Sequence, residues 1–247
     1  MNNDRRENGN FDTVWEDDIY SKGKALNKYP YGELVSVFFQ SLKYLSEQGG
    51  AGDKRKVLEI GCGGGNNLWF MAELGFEVSG IDGSHTAVEA AENLFGMRGV
   101  KGDFRQAYFE NLPYDEAVFD IVIDRGGTVC CDFAGIKRAW EEGGRVLKSG
   151  GVFIAFMLNE NHPLFRSAVN GDDVAEYKDG GRTLRKIRVG DLSGLSSVSF
   201  IKYEDIAEIF SFGEVLEVRE HRSVWLKLEE KAGRNGYSEY IIIGRKV

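Results

Sequence analysis

The stretch Val57-Leu58-Glu59-Ile60-Gly61-Cys62-Gly63-Gly64-Gly65-Asn66-Asn67 decides the fold. Its first four residues read as a short, mostly apolar strand. Glycines follow at 61, 63, 64 and 65, and a helical pattern begins near Asn67. A strand that runs into glycines and then into a helix makes a tight turn without Cβ atoms. Such a turn lets backbone amides touch a ligand directly. The dinucleotide pattern that cradles a pyrophosphate needs a third glycine three residues after the second. Gly61 and Gly63 fit, but the third position is Asn66. That departure counts against NAD or FAD.

Outward from this turn, strands and helices alternate. Glu77–Ile81 reads as a second strand ending at Asp82, and Ser84 is a good N-cap for the helix carrying Val88, Ala91, Leu94 and Phe95. Val100–Phe104 reads as a third strand and Val118–Ile123 as a fourth, strongly apolar one. Ile136–Leu147 reads as a helix and Val152–Met157 as a fifth strand. Strands separated by helices of this length predict parallel pairing with right-handed crossovers, and a ligand crevice at the carboxyl ends of the strands.

The flanks break this rhythm. Residues 1–10 read as a disordered tail. Residues 11–52 read as a mostly helical cap or lid, with Leu34, Val35, Phe38, Leu42 and Leu45 at helical spacing. Residues 53–157 form the expected core. The polar, glycine-spotted residues 158–200 read as an insertion that recognises substrate. Residues 201–247 return to the sheet through a helix at Tyr203–Phe210 and strands at Val215–Arg219 and Ser238–Gly244.

Composition narrows the function. Of 247 residues 42% are hydrophobic, enough for a sizeable core. No apolar run approaches a bilayer span, and the polar first ten residues carry no secretory signal, so a cytoplasmic setting is expected. Three cysteines, two of them adjacent, make a poor disulfide framework, and no Cys-x-x-Cys or paired-His spacing suggests a metal. The formal charge of −8 opposes phosphate backbones, so no nucleic-acid partner is expected.

Three acids follow the turn. Asp82 ends the second strand, where a carboxylate accepts hydrogen bonds from ribose hydroxyls. Asp103, with Phe104 beside it, is read at the end of the third strand, where an acid can accept from an adenine amino group while the ring packs beside the base. Asp124 ends the fourth strand beside Arg125, and its carboxyl end should face the reacting centre; Arg125 is also a natural ion-pair partner.

The stretch from Val57 to Met157 resembles class I S-adenosylmethionine-dependent methyltransferases, of the type 11/25-like small-molecule kind. Glu59-x-Gly61-x-Gly63-x-Gly65 resembles the family's first motif. Asp82 matches its ribose acid, Asp103 its adenine-reading acid, and Leu147-Lys148-Ser149-Gly150-Gly151 the turn before its fifth strand. The segment Trp15–Tyr31 resembles the leader of a bacterial subgroup associated with surface-polysaccharide genes.

The resemblance implies an α/β, Rossmann-like, doubly wound sheet of seven mostly parallel strands, with an antiparallel last strand and helices on both faces. It implies S-adenosylmethionine as cofactor, S-adenosylhomocysteine as product, and a small-molecule acceptor such as a sugar, sugar nucleotide or other anionic metabolite. The expected cofactor contacts are Tyr20, Asn27, Tyr29, Glu59, Gly61, Cys62, Gly63, Asn67, Asp82, Gly83, Ser84, Asp103, Phe104, Asp124 and Arg125. Asp124 and His162 are the candidate catalytic groups, His162 as a base in the loop after the fifth strand. Arg182 and Arg185, in a basic cluster of the insertion, are candidates for an anionic acceptor. An NAD(P)-dependent oxidoreductase and a non-catalytic nucleoside-binding module are the alternatives, and monomer and homodimer are both open.

Overall fold

A computed structural model describes residues 6–7, 11–45, 54–178, 180–225 and 236–247. The expected tail, apart from Arg6 and Glu7, the Gly49–Gly52 break and most of the connection before the last strand lie outside the described residues.

One sheet organises the chain. Its strands are β1 (Lys56–Ile60), β2 (Glu77–Asp82), β3 (Asp103–Gln106), β4 (Phe119–Arg125), β5 (Leu147–Leu158), β6 (Gly213–Val224) and β7 (Gly236–Lys246). They lie in the order β6-β7-β5-β4-β1-β2-β3. Strands β1 to β5 pair in parallel, and β7 runs antiparallel to both β5 and β6. The expected mixed seven-stranded sheet is therefore present.

The near-continuous apolar strands are long enough to be covered twice, as parallel sheets require. Successive residues alternate between two cores. Leu58, Val122, Phe153 and Ile242 pack on one face, with Trp140 of α4 (Phe133–Val146). Val57, Ile121, Ile154 and Ile241 pack on the other, with Leu34, Val37 and Phe38 of α1 (Gly32–Ser41). Helix α1 is thus a wall of the core, and Val37 takes the inward position expected of Val35.

Helix α2 spans only Trp69–Glu73, and α3 spans His85–Arg98, capped by Ser84 as expected: its Oγ accepts from Ala87 N at 3.1 Å. The third strand corrects the sequence reading. Gly99 takes a left-handed φ of 69° and closes α3, with Val100 N donating to Phe95 O at 3.2 Å. Val100 is thereby spent on the helix end, and β3 starts at Asp103 instead of ending near it.

Residues 158–200 also depart from the polar insertion expected. They hold α5 (Pro163–Val169) and a short hairpin of Thr183–Arg185 with Ser197–Ser199, and Leu164, Phe165, Leu184, Val198 and Phe200 are buried in the larger core. The short helix α6 spans Ile206–Ile209. Among the described residues no helix is long and apolar enough to cross a membrane.

Candidate active site

The strand order reverses about β1, whose neighbours β2 and β4 diverge into opposite halves of the sheet. A crevice opens at the carboxyl ends on such a reversal. A cavity of ≈170 Å³ lies there. Its floor is the glycine turn and its roof is the N-terminal segment from Phe11 to Tyr31.

Gly61 shows why the first position of the turn admits no side chain. Its φ is +72°, and a Cβ there would stand 2.8 Å from Gly127 Cα, on the loop after β4. Gly61 N and Cys62 N both donate to Ile81 O at 2.9 Å, which ties the turn to β2. Gly63 N donates to Asp82 Oδ2 at 2.9 Å, and Ser84 N donates to Asp82 Oδ1 at 2.9 Å. Burial raises the Asp82 carboxyl to about 6, against the lowering effect of these amides. It stays largely ionised at neutral pH, held by the backbone amides of Gly63, Gly83 and Ser84.

Glu59, at the end of β1, is 1% exposed. Its Oε1 accepts from Asn67 Nδ2 at 2.7 Å, and its Oε2 is buried with no hydrogen-bond partner among the described residues. Burial lifts its carboxyl to about 8, with the Asn67 bond pulling the other way. An orphaned acceptor on a cavity wall is costly unless a ligand donor meets it.

Asparagines after the turn hold the roof. Tyr31 N donates to Asn67 Oδ1 at 3.1 Å, and Asn66 Nδ2 donates to Tyr29 O at 3.0 Å. Of the expected contacts, Tyr20, Asn27, Glu59, Gly61, Cys62, Gly63, Asn67, Asp82, Gly83 and Arg125 line the cavity. Arg125 lies between the rings of Tyr31 and Phe156, at 4.5 and 4.8 Å from their centroids, with Glu239 at 3.7 Å.

Other expected contacts fall elsewhere. The Tyr29 side chain is 71% exposed and lies beside the Arg98 guanidinium, so only its carbonyl serves the site. Asp103 begins β3, far end from the crevice, and pairs with Arg105 at 2.8 Å. Phe104, half-buried, packs its ring on Phe95 at 4.6 Å at the edge of the second core. Ser84 is spent on capping α3.

The two catalytic candidates are also engaged. Asp124 is fully buried and turned into the fold. It accepts from Gly127 N, Thr128 N, Thr128 Oγ1 and Trp140 Nε1, the last at 2.9 Å. His162 caps α5 by accepting from Leu164 N at Nδ1, its ring between Phe200 and Tyr237, and burial lowers its pKa to about 4. It does not line the cavity. Arg182 forms a bidentate pair with Asp205 at 2.6 and 3.0 Å, and Arg185 stands on the exposed side of the hairpin, so neither reaches the cavity.

The structure adds walls that local sequence did not mark. Phe11, Asp12 and Trp15 come from the roof, Phe109 from the loop after β3, and Cys130 and Cys131 from the loop after β4. Past the end of β3 it is Phe109, not Asp103, that lines the cavity; the signal for it in the sequence was its place just past a strand end.

Residues 57–151 match the family described as a methyltransferase domain. The chain is 27% identical over 217 residues to a ubiquinone biosynthesis O-methyltransferase of Maricaulis maris, covering 81% of this chain and 82% of that one. Against the protein of the same description from Mesorhizobium japonicum the identity is 31% over 49% of this chain, and the chain spans only about half that relative's length, 47%. The fold is similar to a SAM-dependent methyltransferase structure from Methanosarcina mazei, with a TM-score of 0.66, 20% identity and coverage of 89% and 99% of the two chains. Residues 57–151 are thus a methyltransferase domain. Its cofactor is S-adenosylmethionine.

Proposed function

We propose that the chain methylates a small-molecule acceptor inside the roofed cavity, in the cytoplasm. The observation that carries this reading is the pairing of two buried acids along one glycine-rich turn: Asp82 on backbone amides, and Glu59 with an orphaned Oε2. These residues fit the cofactor. Asp82 would accept from the ribose hydroxyls, and Glu59 from the ammonium at the amino-acid end. When bound, S-adenosylmethionine supplies a methyl group activated on a sulfonium.

The chain's own part is alignment and exclusion of water. Tyr20 and Trp15 close the roof over the turn, and their ring faces suit a nearby positive charge. Arg125 is the cation of the cavity wall, and it is the group we assign to an acidic or carbonyl oxygen of the acceptor. The pairing of Arg182 with Asp205 removes the support for a sugar nucleotide held by the insertion. The relatives named O-methyltransferases make an oxygen acceptor the first to test.

Calorimetric titration with S-adenosylhomocysteine and with NAD tests the cofactor half. Binding of the first alone is expected, and Asp82→Ala should weaken it by about 1–3 kcal/mol. Tritiated S-adenosylmethionine with a panel of phenols, sugars and small carboxylic acids tests the acceptor half. Transfer only to macromolecules would overturn the small-molecule reading.

A further inference from the structure

Position 83, directly after the ribose acid, has no side chain, and another residue fills the space. An ideal Cβ on Gly83 would lie 2.2 and 2.4 Å from Cδ2 and Cε2 of Phe11. The Phe11 ring therefore rests on the Gly83 backbone, 72 positions along the chain (83 − 11). It faces Tyr108 with ring centroids 5.7 Å apart. Between these walls runs a side slot of ≈20 Å³, bounded also by Ala107 and Phe109. Phe11, Gly83, Phe109 and Cys131 line both this slot and the main cavity.

The slot's rigid side is set by the sheet. Ala107 N donates to Asp82 O at 3.0 Å, and Gln106 Nε2 donates to Gly83 O at 3.0 Å. Its other side is fastened by Glu16, whose carboxylate accepts from Ser84 Oγ, Thr86 N and Thr86 Oγ1 at the start of α3. Asp12 adds a second tie, accepting from Ser196 N at 2.8 Å.

We infer that Phe11 forms one face of the adenine slot, in place of the side chain that Gly83 lacks, so that the base and the N-terminal strap dock on each other. The inference rests on Asp82 taking the ribose, since the base then lies one step outward, toward Ala107–Phe109. A slot of this volume holds about one water, so the base enters by lifting the strap. The ring then settles on the base as an aromatic face, and cofactor binding tightens the Glu16 and Asp12 ties.

A swap tests this. Wild type, Phe11→Ala, Gly83→Leu and the double variant are titrated with S-adenosylhomocysteine and with adenosine, with circular dichroism as the folding control. Loss of one base–aromatic contact should weaken both ligands by about ten- to a hundredfold in Phe11→Ala. Gly83→Leu alone should bind poorly, because its side chain meets the Phe11 ring. The double variant should recover most of the affinity, since a side chain from position 83 again fills the space. Unchanged binding in Phe11→Ala overturns the inference, and so does tighter binding, which would make the ring a plug. If the strap variants unfold, Phe11→Trp keeps the test open: retained adenosine affinity supports the face, and its loss overturns it. A wild-type chain that binds neither ligand overturns the cofactor assignment itself.

Discussion

Asn67 joins floor to roof: its side-chain amide donates to Glu59 Oε1 at 2.7 Å, and its side-chain oxygen accepts from Tyr31 N at 3.1 Å. The bond orients Glu59 so that Oε2 is the atom left without a partner. A cationic ligand group at that atom would turn a buried, largely protonated acid into an ion pair.

That arrangement gives a pH signature. Glu59 is raised from 4.5 to about 8 by burial, so the folded chain holds a proton that the unfolded chain sheds near pH 4.5. Its stabilising contribution is complete below pH 4.5 and is lost as pH rises through 8. The melting temperature of Glu59→Gln should therefore fall less than that of wild type between pH 5 and 8.5. In addition, S-adenosylhomocysteine binding to wild type at pH 7 should release a proton, seen as different apparent enthalpies in phosphate and Tris. Equal enthalpies in the two buffers would dissociate Glu59 from the ligand.

Asp124 is expected to matter for stability more than for chemistry. Four donors converge on its carboxylate, including the buried indole of Trp140. Asp124→Ala strands them and should cost on the order of 3 kcal/mol in urea unfolding. Full stability with abolished turnover would return Asp124 to the catalytic list.

His162 should prove replaceable. Its Nδ1 caps α5, a job asparagine does equally well. His162→Asn should keep both stability and turnover, and His162→Ala should lose about 1 kcal/mol of stability. A base with a pKa lowered to about 4 puts no inflection near 6.5 in the rate profile. An inflection there that disappears in His162→Asn would contradict this assignment.

The glycine turn, Asp82 and Ser84 were legible because strand, turn and cap are contiguous, and each rule acts within a few residues. Asp103 was misplaced by a local ambiguity: Val100–Phe104 has strand composition, but Gly99 in the left-handed region commits Val100 to the end of α3. Arg182 read as a free cation because its partner Asp205 lies 23 positions on, brought near only by the hairpin and the turn before α6. Phe11, Phe109 and Cys131 carry no periodic signal, since walls built from loops depend on where the sheet places them.

The strap has a consequence for how the molecule is built. Residues 11–20 precede their partners in the chain: Glu16 lies 68 positions before Ser84, and Asp12 lies 184 before Ser196. Closing contacts so distant along the chain costs loop entropy, as the pairing of β5 with β7 also does. Val14 of the same strap belongs to the main core cluster and Tyr20 is buried, so lifting it uncovers apolar surface as well as breaking these ties, and its opening is coupled to the hydrophobic interior.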